Sequence, residues 1–269
     1  MESWPGYGLN QSSMRRLRHL ADAHRTRSTN RALGYLMAFN AGAINAGGFL
    51  VLKLYTSHMT GFMSMLADNL VLGETAFVLA ALGALLAFMA GAAVSAILVN
   101  FARHMHLRST YAMPLLLVAL LVLVFGLVGS VTLRWDTFFA VPMTVLLLSF
   151  TMGVQNATLT KMSQATIRTT HMTGVVTDLG IELGKMLFWN RAGTQAQHKV
   201  QANWSRVRLF GGLLGMFLAG GIAGALGFQH WGFVCVIPLA LLLMVVSLPP
   251  LWADVKHWQK RWNPPASDN

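Results

Sequence analysis

A run of 45 residues without a charged side chain, 209–253, constrains the fold of this chain more than any other feature. A helix needs about 20 apolar residues to cross the hydrocarbon core of a bilayer, so the run predicts two membrane spans. The tetrapeptide 229–232, Gln-His-Trp-Gly, interrupts it near the middle. Only 11% of the chain is charged, whereas a soluble domain is about one quarter charged. The sequence therefore predicts an integral membrane protein.

Four shorter uncharged segments predict the remaining spans. They are residues 32–52, 75–102, 109–133 and 137–160. We therefore expect an all-α fold with six transmembrane helices, at roughly 33–52, 76–101, 110–132, 137–158, 208–228 and 232–252.

The basic residues predict the orientation. Lys and Arg number 20 against 9 Asp and Glu, for a net charge of +11. With six spans, 18 of the 20 basic residues fall on the side of the N-terminus. The positive-inside rule then predicts cytoplasmic N- and C-termini for a multi-pass protein of the bacterial cytoplasmic (inner) membrane. We interpret the basic excess as an orientation signal and a contact with anionic lipid at the cytoplasmic face, rather than as a substrate site.

Several classes of protein are disfavoured by the same composition. Cys235 is the single cysteine, so the chain has neither an internal disulfide nor a site built from several cysteines. Nucleic-acid binding requires a basic folded domain, and no soluble stretch is long enough to form one. About 30 polar, Arg-rich residues precede the first apolar run, unlike a secretory signal. We predict no cofactor, no metal and no nucleic-acid partner.

The chain contains an internal repeat, marked by the tetrapeptide His-Met-Thr-Gly at 58–61 and 171–174. Its flanks also match in order: 42–46 with 153–157 before the motif, and 82–87 with 214–219 after it. Each half is a span, a short helix and two further spans. Because three crossings is an odd number, the second half is predicted to be inverted relative to the first, as in many secondary transporters.

The segments that follow each motif, 58–72 and 171–188, are moderately apolar and carry isolated acids. We predict that both are short non-spanning helices, either re-entrant or lying in the interface. The predicted parts are a cytoplasmic basic arm (1–30), membrane repeat 1 (31–134), membrane repeat 2 (135–252, with a cytoplasmic insertion at about 189–207) and a cytoplasmic tail (253–269).

Polar side chains within the predicted membrane region gather around the two motifs. Asn45 and Asn156 are equivalent in the repeat and are predicted to line one cavity from two sides, with helix–helix hydrogen bonding as the alternative. Thr-Gly at the start of each short helix favours either an anion at the free N–H groups or simple capping. The candidate substrate-binding residues are Asn45, His58, Thr60, Gly61, Gln155, Asn156, His171, Thr173 and Gly174.

The ionisable residues near the motifs offer a second role. Asp68, Asp178 and Glu182 are candidates for proton or ion coupling, because intramembrane acids usually serve function. Asp178 and Glu182 are four residues apart and share a helix face, with Lys185 and Arg168 available as counter-charges. The two motif histidines are too few for a metal site, and either relay protons or form ordinary hydrogen bonds.

Small residues recur in the second and fifth spans and predict close helix contact. Ala87, Gly91 and Ser95 follow one another at four-residue spacing in the second span. The fifth span has two such pairs, Gly211 with Gly215 and Gly220 with Gly224. We interpret them as a central packing seam.

The paired motifs resemble those of the YoaK family of bacterial integral membrane proteins. The resemblance rests on GAINAGGF with HMTG in the first half and on GVQNA with RTTHMTG and TDLG in the second, and it covers roughly residues 30–252. It implies about six spans and carries no established substrate. In the family pattern an acid often stands at the position of Asn45, so any coupling role here shifts towards Asp178 and Glu182.

These features favour a transporter of a small molecule or ion, with a midplane site between inverted repeats and proton coupling as one mechanism. A non-transporting scaffold or sensor acting through the basic arm is the alternative. An intramembrane enzyme acting on a lipid or quinone is disfavoured, because the chain has neither an HExxH nor a GxSxG motif. The residues do not specify substrate, direction, coupling ion or oligomeric state.

Overall fold

The computed structural model describes residues 27–107, 109–132, 140–164, 167–190 and 199–262, and within them the chain is all-α. A short 3-10 turn, Gly232–Cys235, separates the last two helices. The helices are α1 (Arg27–Leu52), α2 (Met59–Leu72), α3 (Thr75–His104), α4 (Ala112–Thr132), α5 (Ala140–Met162), α6 (Met172–Leu187), α7 (Trp204–Trp231) and α8 (Val236–Trp262).

The described residues contain three stretches long and apolar enough to cross a membrane. They are Thr75–His104, Ala112–Val131 and Trp204–Lys256. The third has 53 residues, which as one helix would measure about 80 Å. Since that exceeds any bilayer core, the break at Gly232, whose φ is +59°, divides it into α7 and α8.

The helices α1 and α5 are not among these apolar stretches, and their position explains why. Both are largely buried against other helices, and they carry the buried polar residues Asn40, Asn45, Gln155 and Asn156. A helix enclosed by protein does not need a lipid-compatible surface, so its hydropathy falls below that of its neighbours.

Two long helix pairs form the centre of the molecule: α1 packs along α7, and α3 packs along α5. Glycines let the backbones approach closely. A methyl group at Gly42 would overlap the carbonyl oxygen of Phe217 on α7, and one at Gly153 would overlap that of Phe88 on α3. The helix α4 packs against both α5 and α8, while α2 lies on α3 and α6 lies on α7.

The predicted packing seam is confirmed in part. Gly91 meets the backbone of α5, while Gly220 and Gly224 meet the backbone of α1. The prediction is wrong for Gly211 and Gly215, where an added Cβ would meet no described atom within 4 Å. They lie on a face of α7 other than the one that packs on α1. Four-residue spacing alone does not indicate which face of a helix makes the contact.

Most of the predicted helices are confirmed, with shifts at some ends. The helix α8 continues to Trp262, beyond the predicted end at residue 252, and α7 begins at Trp204 inside the predicted insertion. Both short helices begin one residue after a motif histidine. The basic arm before residue 27, residues 191–198 of the insertion and residues 263–269 of the tail lie outside the described residues.

Candidate functional site between the two motif segments

The two equivalent asparagines make equivalent hydrogen bonds. Asn45 Nδ2 donates to Ser57 Oγ at 2.7 Å, and Asn156 Nδ2 donates to Thr170 Oγ1 at 2.7 Å. Each acceptor is the residue immediately before a motif histidine. Both asparagines therefore fasten the segment entering a short helix to the preceding long helix.

Each entering segment also contacts a long helix of the other half of the chain. Ser149 Oγ on α5 donates to the carbonyl of Thr56 at 3.3 Å. In the second half, Ile167 packs beside Gly34 of α1 and belongs to the same buried cluster as Ala38. The two halves are thus interlocked through the segments that precede the motifs.

The short helices α2 and α6 expose most of their surface. His58 and His171 occupy the N-cap positions, and neither makes a side-chain capping bond. Just after each Thr-Gly, Phe62 and Val175 are buried and anchor the helix. The candidates His58, Thr60, His171, Thr173 and Gly174 are exposed, and Gly61 is half-buried.

The structure does not bring the two motifs together. The helix α2 packs on α3 and α6 packs on α7, and no packing between α2 and α6 is seen in the described part of the chain. The candidate residues therefore divide into two groups, one at each motif, with Gln155 between them on α5.

The two motif glycines differ in surroundings. A Cβ at Gly61 would stand 2.7 Å from Nδ1 of His58, so the imidazole occupies the space that a side chain would need. At Gly174 an added Cβ would meet no described atom within 4 Å. Only the second glycine leaves its helix N-terminus open to an approaching group.

A buried polar contact joins α1 and α5 between the motifs. Asn40 Nδ2 donates to Gln155 Oε1 at 3.3 Å, and Gln155 Nε2 donates to the carbonyl of Met37 at 2.9 Å. Asn40 and Gln155 are fully buried. Nearby oxygens are left over, since Oδ1 of Asn40, Oδ1 of Asn45 and Oγ1 of Thr56 are buried without a hydrogen-bond partner in the described structure.

The candidate coupling acids occupy different environments. Asp68 and Asp178 are exposed, whereas Glu182 is only 2% exposed. Glu182 Oε2 accepts from the backbone N–H of Asn203 at 2.7 Å, and its Oε1 accepts from Lys185 at 2.9 Å. The Asn203 hydrogen bond and then the Lys185 ammonium lower the pKa of Glu182 below its ordinary value.

Glu182 therefore connects α6 to the start of α7. Asn203 is the N-cap residue of α7, and its side chain accepts from the backbone N–H groups of Ser205 and Arg206. The expected counter-charge Lys185 is confirmed for this acid. The carboxylate is held by donors already in place, which favours a structural part for it.

His171 differs from an ordinary exposed histidine. Partial desolvation of the ring, followed by the nearby charge of Arg168, lowers its pKa. The neutral imidazole is thus favoured near pH 7.

Among the described residues, no three His, Cys, Asp or Glu side chains converge as metal ligands.

A cavity at the N-terminal end of α1 was not predicted as a site. It has a volume of about 780 Å³ and is lined mainly by polar side chains. We call it the basic cavity, because four cationic side chains from four helices line it: Arg31, Arg103, Lys161 and Arg206. Sequence reasoning attributed these charges to orientation. The signal for a site was their position, since each flanks a different predicted span on the same predicted side of the membrane.

Comparison with known proteins identifies the family. The family described as "Protein of unknown function (DUF1275)" matches residues 33–248, so the chain belongs to it. "UPF0700 transmembrane protein YoaK" of Bacillus subtilis (strain 168) is 27% identical over 159 residues, which cover 58% of this chain and 68% of that protein. No solved structure matches the chain. The expected likeness to the YoaK family is confirmed, and with the apolar helices it indicates a multi-pass membrane protein.

Proposed function

We propose that this member of the DUF1275 family is a secondary transporter of the bacterial cytoplasmic membrane, built from two inverted three-span repeats. In this proposal α1, α3 and α4 form the first repeat and α5, α7 and α8 form the second. The short helices α2 and α6 do not span.

The helix packing supports the inverted repeat. Gly42 and Gly153 are equivalent in sequence, and each meets the carbonyl of a phenylalanine, Phe217 or Phe88, in the other half. Conversely, Gly220 meets the carbonyl of Phe39, and Gly91 meets that of Phe150. Phe39 and Phe150 are separated by the same number of residues as Gly42 and Gly153.

Within the proposed repeat, these reciprocal contacts favour an alignment shifted by three residues, close to one helical turn. They make Phe88 equivalent to Phe217 and Gly91 equivalent to Gly220. The sequence comparison had paired residues 82–87 with 214–219, a register three residues away. Since a shift of three residues keeps the helix face nearly constant, the small-residue pattern alone did not distinguish the two registers.

Charge and length support six crossings with cytoplasmic termini. The helices α2 and α6 have 14 and 16 residues, fewer than the roughly 20 needed to span. With those two outside the count, most Lys and Arg side chains fall on the side of the N-terminus. The basic cavity then opens towards the cytoplasm.

The single observation that carries the transport proposal is the set of unpaired oxygens at the crossing of the two halves. Buried polar atoms in proteins are nearly always hydrogen-bonded to protein or water. Oδ1 of Asn40 and Oδ1 of Asn45 on α1, and Oγ1 of Thr56 in the segment after α1, lack partners in the described structure, and both Asn40 and Thr56 contact α5. A substrate, ion or water passing between the halves would satisfy them, as expected of a midplane site.

The packing of the two halves is unequal, which fits alternating access. The helix α4 packs along α5, but its counterpart α8 touches α1 at only a few residues. In inverted-repeat transporters, exchanging the arrangements of the two halves converts one access state into the other. The large cavity on one side and the close packing of α4 on α5 are consistent with a single such state.

Flux in proteoliposomes tests the proposal. Purified protein would be assayed for uptake of a panel of small anions, cations and neutral solutes against empty liposomes. Asn40→Leu and Thr56→Val are expected to abolish the uptake that wild type shows, because they remove unpaired oxygens of the candidate path.

Asn69→Leu is the matched control, since Asn69 donates only to its own helix, to the carbonyl of Met65 at 2.7 Å. The control should transport like wild type. If folded Asn40→Leu and Thr56→Val transport normally, the site is wrong. If no solute enters faster than into empty liposomes, transport itself is contradicted.

A further inference from the structure

The basic cavity brings four cationic side chains together from different helix ends. Arg31 stands at the start of α1, Arg103 at the end of α3, Lys161 at the end of α5 and Arg206 at the start of α7. Positions this far apart in the chain meet only because α1 packs along α7 and α3 packs along α5. The fold thereby concentrates positive charge in one concave surface.

Three of these cations, Arg31, Arg103 and Lys161, are not paired with carboxylates in the described structure. Arg31 donates to Ser205 Oγ at 3.2 Å, Arg103 donates to Tyr111 Oη at 2.9 Å, and Lys161 donates to Asn100 Oδ1 at 3.2 Å. All three acceptors are neutral oxygens that orient the cations without cancelling their charge.

The charge of the fourth cation, Arg206, is partly neutralised by a carboxylate. Arg206 lies 3.9 Å from Glu182 Oε1, an oxygen that Lys185 already contacts at 2.9 Å. One carboxylate is thus shared between two basic residues, which leaves the basic cavity strongly positive.

The cavity also offers neutral hydrogen-bonding groups. Asn30, Ser163 and Gln164 line it beside the cations. Amide and hydroxyl oxygens of such residues can accept from a ligand that carries hydroxyl or amine groups. The volume of about 780 Å³ is within the range typical of small-molecule sites.

We infer that the basic cavity binds a phosphate monoester or diester that also carries hydroxyl groups. Guanidinium groups match the oxygens of phosphate in a bidentate manner, and a phosphate monoester carries about −1.5 to −2 charges at pH 7, enough to balance up to two of the cations. Either a soluble phosphorylated metabolite or a phospholipid headgroup supplies this chemistry. The inference gives a ligand class to the entrance of the proposed transport path, and it requires binding rather than flux.

Titration calorimetry with glycerol 3-phosphate tests the inference on the full chain in a neutral detergent. Saturable binding is expected, with glycerol alone giving none. Arg31→Gln and Lys161→Gln should each weaken the affinity about tenfold, as expected for loss of one charge-assisted hydrogen bond. Lys161 bonds only to Asn100, so that variant keeps the test valid if Arg31→Gln folds poorly.

Arg168→Gln is the matched control, because Arg168 is exposed and does not line the cavity. Its affinity should stay within twofold of wild type. Native mass spectrometry with phosphatidylglycerol distinguishes the two sources. A lipid that is retained by wild type, lost from the cavity variants and displaces glycerol 3-phosphate identifies a headgroup, whereas binding without such competition identifies a soluble ester.

The inference is overturned if neither probe binds saturably, if both cavity variants bind like wild type, or if Arg168→Gln weakens binding equally. Failure of the transport proposal is separate from these outcomes. Intact binding without flux contradicts transport alone, and flux of a neutral solute without phosphate-ester binding contradicts this inference alone.

Discussion

Asn45 donates a 2.7 Å hydrogen bond to Ser57 across the turn that leads into α2. The second half repeats this relationship between Asn156 and Thr170 at the same distance. In the second half of the chain, Oγ1 of Thr169 also donates to Oδ1 of Asn156 at 3.3 Å, while in the first half Oδ1 of Asn45 and Oγ1 of Thr56 have no hydrogen-bond partner in the described structure. We call these two asparagine contacts clamps, because each holds the segment before a short helix on a long helix. The polar groups around the second clamp are more completely hydrogen-bonded than those around the first.

That difference predicts unequal costs of removing the two hydroxyl groups. Ser57→Ala leaves the buried amide of Asn45 without its acceptor, and the free energy of unfolding should fall by about 1–3 kcal/mol. Thr170→Ala should cost less, because Asn156 Nδ2 also donates to the carbonyl of Met152 at 2.9 Å. Thermal unfolding in detergent measures both, with the exposed Ser64→Ala as the control. Equal losses at the two sites would contradict the difference between the clamps.

The glycines of the helix crossings predict a second contrast. Gly42→Ala and Gly153→Ala should each lower stability by about 1–3 kcal/mol or more, because the new methyl group displaces a backbone carbonyl that cannot move independently of its helix. Gly215→Ala on α7 should be neutral or stabilising by up to about 1 kcal/mol, since its Cβ enters open space and alanine favours the helix. The unfolding temperatures of the three variants, each compared with wild type, test this contrast. A Gly153→Ala variant as stable as wild type would contradict the close approach of α3 and α5.

Glu182 predicts a pH-dependent stability. Its pKa is lowered in the folded protein, chiefly by the Asn203 N–H group and then by Lys185. The folded state therefore binds this proton less readily than the unfolded state. Its stabilisation is fully present above the ordinary pKa of 4.5 and is lost as pH falls through the lowered folded value.

Glu182→Gln should consequently unfold at a lower temperature than wild type at pH 7, and the gap should narrow below pH 4.5. Asp178→Asn is the control, because Asp178 is exposed on the same helix. It should leave the unfolding temperature nearly unchanged at both pH values. A gap between Glu182→Gln and wild type that widens in acid would contradict the assignment.

Sequence patterns predicted those structural features that depend on residues close to one another in the chain. The starts of α2 and α6 follow from His58 and His171, and the equivalence of Asn45 with Asn156 follows from flanking motifs. The acceptors Ser57 and Thr170 did not stand out, because the turn that brings each hydroxyl beside an asparagine depends on packing against the other half.

The basic cavity escaped prediction for a related reason. Arg31 and Arg206 are far apart in the chain, and charge counting gives the side of the membrane on which they lie, not their distance from each other. Only the crossing of α1 with α7 makes them neighbours. The composition indicated a membrane protein, while the pairing of helices decided which polar groups meet.

The number of membrane crossings between α3 and α8 predicts whether the residues that flank them lie on the same side of the membrane. His106 follows α3, and Trp231 ends α7, and both side chains are exposed. If α4, α5 and α7 span while α6 does not, three crossings separate the two residues, which puts them on opposite sides of the membrane. If α6 also spans, four crossings return them to the same side.

Single-cysteine labelling separates these two topologies. In a Cys235→Ser background, Trp231→Cys should react with a membrane-impermeant maleimide in intact cells, and His106→Cys should react only after permeabilisation. Ser64→Cys, on exposed α2, should behave like Trp231→Cys or stay unlabelled if α2 is re-entrant. Equal labelling of positions 106 and 231 in intact cells would show that α6 crosses the membrane, and the two inverted three-span repeats would then be the wrong description of the chain.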